Sequence, residues 1–153
     1  MSSMSLRGIP SADLLYVITD GDFTLDEATR NFGIMLDMVL ANDSRKVLMD
    51  GRSIVGEPTA VQRYYYAAFA SDSVGLLIAN EWMFDPPRFA YVLNEPVLDP
   101  LRLGQTVARK RGLDLKAFND IDEAIRWLKV SPEVVRFITE EPKPSKRVRR
   151  QSK

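Results

Sequence analysis

Five polar residues close together in the sequence have side chains that could bind a ligand: Asp50, Arg52, Ser53, Glu57 and Thr59. They follow the apolar residues 47–49 and precede a helix start marked by Pro58. Carboxylate and hydroxyl oxygens suit magnesium, and a helix N-terminus attracts phosphate or another anion. Because ligands of open α/β sheets collect at strand ends, this set predicts a polar ligand site. The alternative is ordinary capping and solvation of a loop.

The chemistry open to these residues is narrowed by two missing residue types. The chain of 153 residues contains no cysteine and no histidine. Disulfides, thiolate nucleophiles, cysteine-ligated metals, the serine–histidine triad and imidazole ligands are therefore excluded. Carboxylates could still act as acid and base or hold magnesium, so a magnesium-dependent enzyme using Asp50 and Glu57 is the least favoured hypothesis. We predict no catalytic residue, no bound metal and no cofactor.

A second set of residues is aromatic or contains sulfur, and it predicts either a protein interface or an apolar pocket. Successive residues of a helix are about 100° apart, so three consecutive tyrosines cannot all face the core. At least one phenol should reach solvent, a partner or a ligand. For any single member of the set, packing in the core is the alternative. The set comprises Tyr64, Tyr65, Tyr66, Phe69, Trp82, Met83 and Phe84.

Strands and helices that alternate along the chain must position both sets. A β-prone run at residues 14–19 is followed by a capping box, Thr24 with Glu27, which predicts a helix to about residue 40. The next strand is predicted at residues 47–50, where Asp50, Gly51 and Arg52 should end it in a turn. A helix then follows from Pro58 to about residue 71. The segment 74–80 fits a strand or a continuation of that helix, and we favour the helix.

The second half of the chain continues the alternation. A proline pair at residues 86–87 must end any helix before the next strand. Asp99 with Pro100 predicts a helix start, and Gly112 a helix end. The predicted elements are a strand at 88–93, a helix from Asp99 to Gly112, a strand at 115–118, and helices at 121–129 and 132–138.

This alternation predicts an α/β domain with a small, mixed but mostly parallel sheet of four to five strands and flanking helices. Residues 1–12 are expected to be a loose N-terminus, residues 13–139 a single domain, and residues 140–153 a basic disordered tail. No apolar run approaches the roughly 20 residues that span a bilayer, so no transmembrane segment is predicted. The absence of cysteine favours the cytoplasm.

Basic residues are concentrated at the end of the chain. Six of the chain's 21 basic residues lie from residue 143 onward, where there are no acidic residues. The rest of the chain has 15 basic and 21 acidic residues, a formal net charge of −6. A basic patch on the domain is therefore not expected, and no specific nucleic-acid partner is predicted. The six residues are Lys143, Lys146, Arg147, Arg149, Arg150 and Lys153.

Several segments together resemble the STAS-like domains related to the sporulation anti-sigma-factor antagonist, which are called SpoIIAA-like or STAS/SEC14-type. They are Gly21 with residues 24–27, the strand from Lys46 to Asp50, the tyrosine-containing helix, and the late segments 108–118 and 122–128. The resemblance implies a binding or regulatory module without a cofactor. In its phosphorylated members a serine begins the helix after the central strand. Here that place reads Gly56 to Thr59, with Thr59 as the nearest hydroxyl and Ser53 earlier in the loop, so the sequence does not decide whether Ser53 or Thr59 is phosphorylated.

The leading hypothesis is therefore a non-catalytic module that acts through protein–protein contacts and forms a homodimer through its aromatic region. By analogy with SEC14-type domains, the alternative is a carrier of a small apolar ligand or lipid. A cavity between the Pro58 helix and the sheet would favour that alternative.

Overall fold

A five-stranded sheet lies at the centre of the structure, a computed structural model that describes residues 3–140. Ten elements follow one another along this part of the chain. They are β1 (Ser5–Ser11), β2 (Leu14–Asp22), α1 (Leu25–Asn42), β3 (Lys46–Val55), α2 (Ala60–Ala79), β4 (Arg88–Val92), α3 (Leu103–Lys110), β5 (Leu115–Phe118), α4 (Ile121–Leu128) and α5 (Pro132–Glu140).

The strands are arranged in the sheet in the order in which they occur in the chain. Strand β1 pairs antiparallel with β2, whereas β2, β3, β4 and β5 pair in parallel. The prediction of an α/β fold with a mixed, mostly parallel sheet is confirmed. Each parallel connection contains a helix, as parallel pairing requires.

Helices cover both faces of this sheet. Along β2, Leu15 and Val17 pack with α1, α2 and α3, while Leu14, Tyr16 and Ile18 pack with α4 and α5. Successive strand residues point to opposite faces, so burial on both sides requires the continuous apolar run seen in the sequence. The sheet thus divides the interior into two apolar cores.

The N-terminal segment is a strand, and the expectation that it forms a loose end is wrong. Residues Ser5 to Ser11 pair in register with Leu14 to Asp20 of β2. The backbone N–H of Met4 donates to the carboxylate of Glu27 at 3.2 Å, which ties the start of the chain to α1. Gly8 and Pro10 interrupt the alternation of side chains that predicts a strand, which is why the sequence pattern missed it.

The predicted turn at Asp50 to Arg52 is also wrong, because β3 continues through it to Val55. Opposite β2, Ile18 pairs with Asp50 and Asp20 pairs with Ser53, so β3 has one extra residue there. This is a β-bulge, which keeps the strand in the sheet while shifting its register. The polar sequence that resembles a turn is therefore part of the longest strand.

Helix α2 begins at Ala60, with Thr59 as its N-cap, so Pro58 precedes the helix instead of occupying its first turn. The helix runs without a break to Ala79, which confirms the helical prediction for residues 74–80. The tail predicted from residue 140 onward lies outside the described residues except for Glu140, which ends α5. Within residues 3–140, no helix has both the length and the apolar character needed to cross a bilayer.

Substitution of Gly21 should test the attachment of the N-terminal segment. Its φ is +111°, and a Cβ there would approach Cα of Met4 to 2.9 Å and also meet the carbonyl oxygen of Ser3. Gly21→Ala should therefore lower the free energy of unfolding by about 1–3 kcal/mol. Urea denaturation measures the change.

Gly33→Ala on α1 is the matched control, because no atom lies within 4 Å of the added Cβ. It should raise the free energy of unfolding by about 0.5–1 kcal/mol, since alanine favours the helix over glycine. Equal effects of the two substitutions would contradict the packing of residues 3–4 against Gly21.

Candidate functional site

Two of the five polar candidates form a part-buried ion pair where β3 stops pairing with β4. Asp50 is 4% exposed, and its carboxylate accepts hydrogen bonds from Nε and Nη2 of Arg52 at 2.9 and 2.7 Å. The backbone N–H of Arg52 donates to the same carboxylate at 3.2 Å. Donating hydrogen bonds to Asp50 raises the pKa of the Arg52 guanidinium, against the lowering effect of burial. The carboxylate thus has its own counter-ion.

Thr59 has a structural role at the start of α2. Its hydroxyl accepts a hydrogen bond from the backbone N–H of Gln62 at 3.1 Å. The side-chain oxygen of Gln62 accepts in return from the backbone N–H of Thr59 at 2.9 Å. This reciprocal pair is a capping box, which satisfies two N–H groups that the first turn leaves without partners.

The remaining candidates lie apart from the ion pair. Ser53 is half-buried on β3, and Glu57 is exposed in the loop before α2. No hydrogen bond or ion pair among residues 3–140 joins either of them, or Thr59, to Asp50 or Arg52. In the same part of the chain, no three acidic side chains are grouped as a metal site would require. Ligand binding at this corner stays a prediction.

Helix α2 separates the three consecutive tyrosines. Tyr64 and Tyr65 are 41% and 56% exposed, which confirms that at least one phenol reaches solvent. The ring of Tyr66 instead packs against Phe32, with ring centroids 6.0 Å apart. The other members of the aromatic set divide in the same way: Phe69, Trp82 and Phe84 are exposed, and Met83 is half-buried against the core.

A cavity of about 140 Å³ lies between the sheet and the helices α1 and α2. Its walls are mostly apolar and come from both helices, from all five strands or their flanking residues, and from α3 and the segment before it. Tyr66 is the member of the aromatic set that lines it. The lining also includes Phe32, Met35, Met49, Ile54 and Tyr91.

Three polar groups in this lining were not identified from the sequence. Asn31 is 8% exposed, and its Nδ2 has no hydrogen-bond partner among the described residues. The hydroxyl groups of Tyr66 and Tyr91 are hydrogen-bonded to each other at 2.5 Å. Burial raises the pKa of both phenols, so both stay protonated near neutral pH. Asn31 interrupts the apolar stripe of α1, which is the one sequence signal that could have drawn attention to it.

Comparisons with known proteins support the fold. The structure is similar to that of an anti-sigma factor antagonist from Mycobacterium paratuberculosis, with a TM-score of 0.51 and 12% sequence identity, over 84% of this chain and 96% of that one. A second similar structure is an uncharacterized protein with a SpoIIAA-like fold from Shewanella loihica, with a TM-score of 0.47 and 18% identity, over 84% and 95% of the two chains.

No protein-family model and no curated protein matches the sequence. The first structural comparison confirms the fold that the sequence resemblance implies, and the low identity limits that conclusion to the fold. Neither comparison tests the predicted ligand-binding or interface residues.

Replacement of Asp50 should test whether its pair with Arg52 is structural. Asp50→Ala leaves the half-buried guanidinium without its counter-ion, so it should lower the free energy of unfolding by about 2 kcal/mol. The expected loss of stability is smaller than for a fully buried ion pair, because the side chain of Arg52 is 24% exposed. Urea denaturation at neutral pH gives the value.

Asp13→Ala is the control, because it removes an exposed carboxylate that lies 3.8 Å from Lys46. Exposed pairs of this kind contribute about 0–1 kcal/mol. An increase in stability on replacing Asp50, as expected if its charge were held for an absent ligand, would contradict the structural role.

The buried phenols should make stability sensitive to alkaline pH. Their pKa values are raised in the folded protein, so above pH ~10 the unfolded chain releases protons that the folded chain retains. The free energy of unfolding should therefore be unaffected by this pair below pH ~10 and fall above it, by up to about 1.4 kcal/mol per pH unit for each phenol. Denaturation series between neutral and alkaline pH measure this slope.

A double variant, Tyr66→Phe with Tyr91→Phe, isolates the contribution of the pair from that of lysine side chains. It should show a clearly shallower decline above pH ~10. The same slope in the variant and the wild type would contradict the burial of these hydroxyls.

Proposed function

We propose that this chain, whose fold is of the SpoIIAA-like STAS type, is a non-catalytic binding module that associates with a second copy of itself through α2. The observation that carries the proposal is the outer face of α2, defined by Val61, Tyr65, Phe69 and Leu76. These four large apolar side chains are 63%, 56%, 39% and 64% exposed. At about 100° per residue they fall within roughly 80° of the helix circumference, so they form one stripe.

The two sides of α2 have an unusual distribution of side-chain size. The fully buried residues of α2 are the small Ala67, Ala70 and Ser71 with Val74, and Tyr66, Leu77 and Ile78 pack against the core beside them, whereas the four large residues of the outer face are exposed. A surface helix normally turns a polar face to solvent and buries its large apolar residues. A partner on the outer face would complete that burial.

The exposed apolar residues on and after α2 offer a substantial part of the area that a stable interface needs. Trp82 and Phe84 lie in the loop that follows α2, and they are 71% and 89% exposed. Aromatic side chains offer about 150–250 Å² each, so these two and the outer face of α2 present several hundred Å². A stable interface buries roughly 800 Å² on each partner, so residues around this surface would contribute the remainder.

The charge and symmetry of the outer face favour a second copy as the partner. Asp72 lies along the stripe, and its carboxylate accepts a hydrogen bond from Arg111 of the same chain at 3.2 Å. Two copies can therefore meet without uncompensated like charges. Val61 and Leu76 lie eight and seven residues from Phe69, so an antiparallel α2 pair around a two-fold axis near Phe69 would set Val61 against Leu76 of the copy.

Two observations favour binding over catalysis. The sequence has neither histidine nor cysteine, and the buried carboxylate of Asp50 is held by Arg52. The structural neighbour with the higher TM-score is, by its name, a protein that antagonises an anti-sigma factor, and thus a protein that acts on another protein. We propose the same class of function for this chain, in the cytoplasm, and no particular regulatory partner.

The proposal predicts a dimer that charged residues on α2 disrupt. Tyr65→Lys with Leu76→Lys should convert the dimer to a monomer, since placing charges in an apolar interface leaves them desolvated and repelling their copies. We expect the dissociation constant to rise by at least about 100-fold, given that interface hot spots contribute 2 kcal/mol or more each. Sedimentation equilibrium over a range of concentrations measures it.

Ile34→Lys on α1 is the matched control, because Ile34 is also an apolar helix residue and is 40% exposed. This variant should stay dimeric, and at concentrations low enough for every protein to be monomeric, all should unfold at similar urea concentrations. A wild-type protein that stays monomeric at millimolar concentration would overturn the proposal, as would an unchanged dimer in the double variant.

A further inference from the structure

We infer that the interior cavity is a binding site for a small, neutral, apolar molecule that carries one hydrogen-bond-accepting oxygen. The site is separate from the outer face of α2, because its walls are formed by the opposite side of that helix and by the sheet. Four features of the cavity support this inference: its size, an unpaired donor, a second donor and the character of its opening.

The size of the cavity sets the size of the ligand. Its volume of about 140 Å³ is close to that of an engineered cavity of about 150 Å³ that binds benzene in another protein. Pockets for drug-sized molecules are about 300–1,000 Å³. The cavity therefore suits a molecule of about six heavy atoms, and the small-ligand form of the carrier hypothesis is favoured over the lipid form.

The amide group of Asn31 determines the polarity of the ligand. Asn31 lies on the buried stripe of α1, between Ala28 and Phe32, where an apolar residue would fill the space at no polar cost. Its Nδ2 is buried and has no acceptor among residues 3–140. An unsatisfied buried donor destabilises the fold, so an acceptor oxygen on a bound molecule would recover that loss.

The tyrosine pair offers a second donor beside the first. Tyr66 and Tyr91 both line the cavity, and one hydrogen bond joins their hydroxyl oxygens. Two hydroxyls have two protons, and this bond uses one of them. The other proton can therefore be donated to a carbonyl or ether oxygen, which has two lone pairs to accept it.

The opening of the cavity favours a neutral ligand. Arg63, Arg102 and Gln105 line the cavity and are half-buried, so this side connects it with the surface. The guanidinium of Arg63 donates to the carbonyls of Val97 and Pro96 at 2.7 and 2.8 Å. Because its donors serve the segment before α3, this arginine holds the opening in place and is not directed at an anion.

A pair of isosteric probes tests the predicted chemistry. Cyclopentanone and methylenecyclopentane have the same shape and differ in a carbonyl oxygen against a methylene group. Two-dimensional NMR of the full chain should show fast-exchange shifts at cavity residues for both probes. Asn31→Leu keeps the side-chain size and removes the donor, so it should lower the ratio of the two affinities, ketone over alkene, by about tenfold.

The ratio of ketone to alkene affinity is compared between the wild type and Asn31→Leu. The different hydration of the two free probes affects both ratios equally, so it cancels. An unchanged ratio in Asn31→Leu would overturn the requirement for an acceptor. If neither probe binds to the wild-type protein, the inference that the cavity is a binding site is overturned.

A cavity-filling variant tests the location of binding. Ala67→Leu adds volume inside the cavity and should abolish binding of both probes, since Ala67 lines it and is 2% exposed. Ala68→Leu makes the same change one residue further along α2, outside the cavity lining, and should leave the affinities unchanged. Binding that persists in a folded Ala67→Leu variant would place the probes elsewhere and overturn the inference.

The Asn31→Leu comparison remains decisive if Ala67→Leu does not fold. The monomeric variant of α2, Tyr65→Lys with Leu76→Lys, should bind both probes as the wild type does. Failure of the dimer would thus leave the cavity result unaffected, and failure of the cavity would leave the dimer unaffected.

Discussion

Phe32 occupies the space between α1, α2 and the sheet, and the arrangement of the surrounding side chains depends on it. It is 1% exposed, and its ring centroid lies 5.7 Å from that of Phe89, 6.0 Å from Tyr66 and 6.3 Å from Phe69. This ring takes up much of the room beneath the middle of α2, where the helix buries the small residues Ala67 and Ala70. Tyr66 enters the interior beside Phe32, and Tyr65 is left outside. The apolar outer face of α2 and the cavity thus lie on opposite sides of the same helix.

The sequence predicted those elements whose local signals agree with their final environment. Thr24 does accept a hydrogen bond from the N–H of Glu27 at the start of α1, and the first five residues of β2 are apolar because both sides of the strand are buried there. The prediction of a turn at Gly51 is wrong because the local pattern does not show why this residue is a glycine. A Cβ at this glycine would lie 2.8 Å from Leu93 and 2.9 Å from Ile54, so the residue is small because of close packing within a bulged strand. Contacts with residues distant in the chain cannot be read from a local pattern.

The candidate sites differ in how far the sequence could define them. The outer face of α2 was partly predictable, because helical geometry alone requires three consecutive tyrosines to diverge. The pairing of Asp50 with Arg52 depends on strand geometry at a place where the pattern indicates a turn. The cavity was not predictable in detail, because its shape comes from elements that are far apart in sequence. Asn31 can be identified as a donor to a ligand only when the structure shows that no acceptor lies near its Nδ2.

The most direct test of a dimer formed through α2 is to locate the contact between the two copies. The chain has no native cysteine, so a single cysteine at Ala68, beside the expected two-fold axis, reports on that contact alone. A disulfide requires Cα atoms within about 7 Å, which packed helices allow only near their line of closest approach. If α2 pairs with α2 of the copy, mild oxidation of Ala68→Cys in dilute solution should give a covalent dimer. Ile34→Cys on α1 should form no covalent dimer under the same conditions. Equal cross-linking of the two variants, or cross-linking at Ile34→Cys alone, would contradict this pairing.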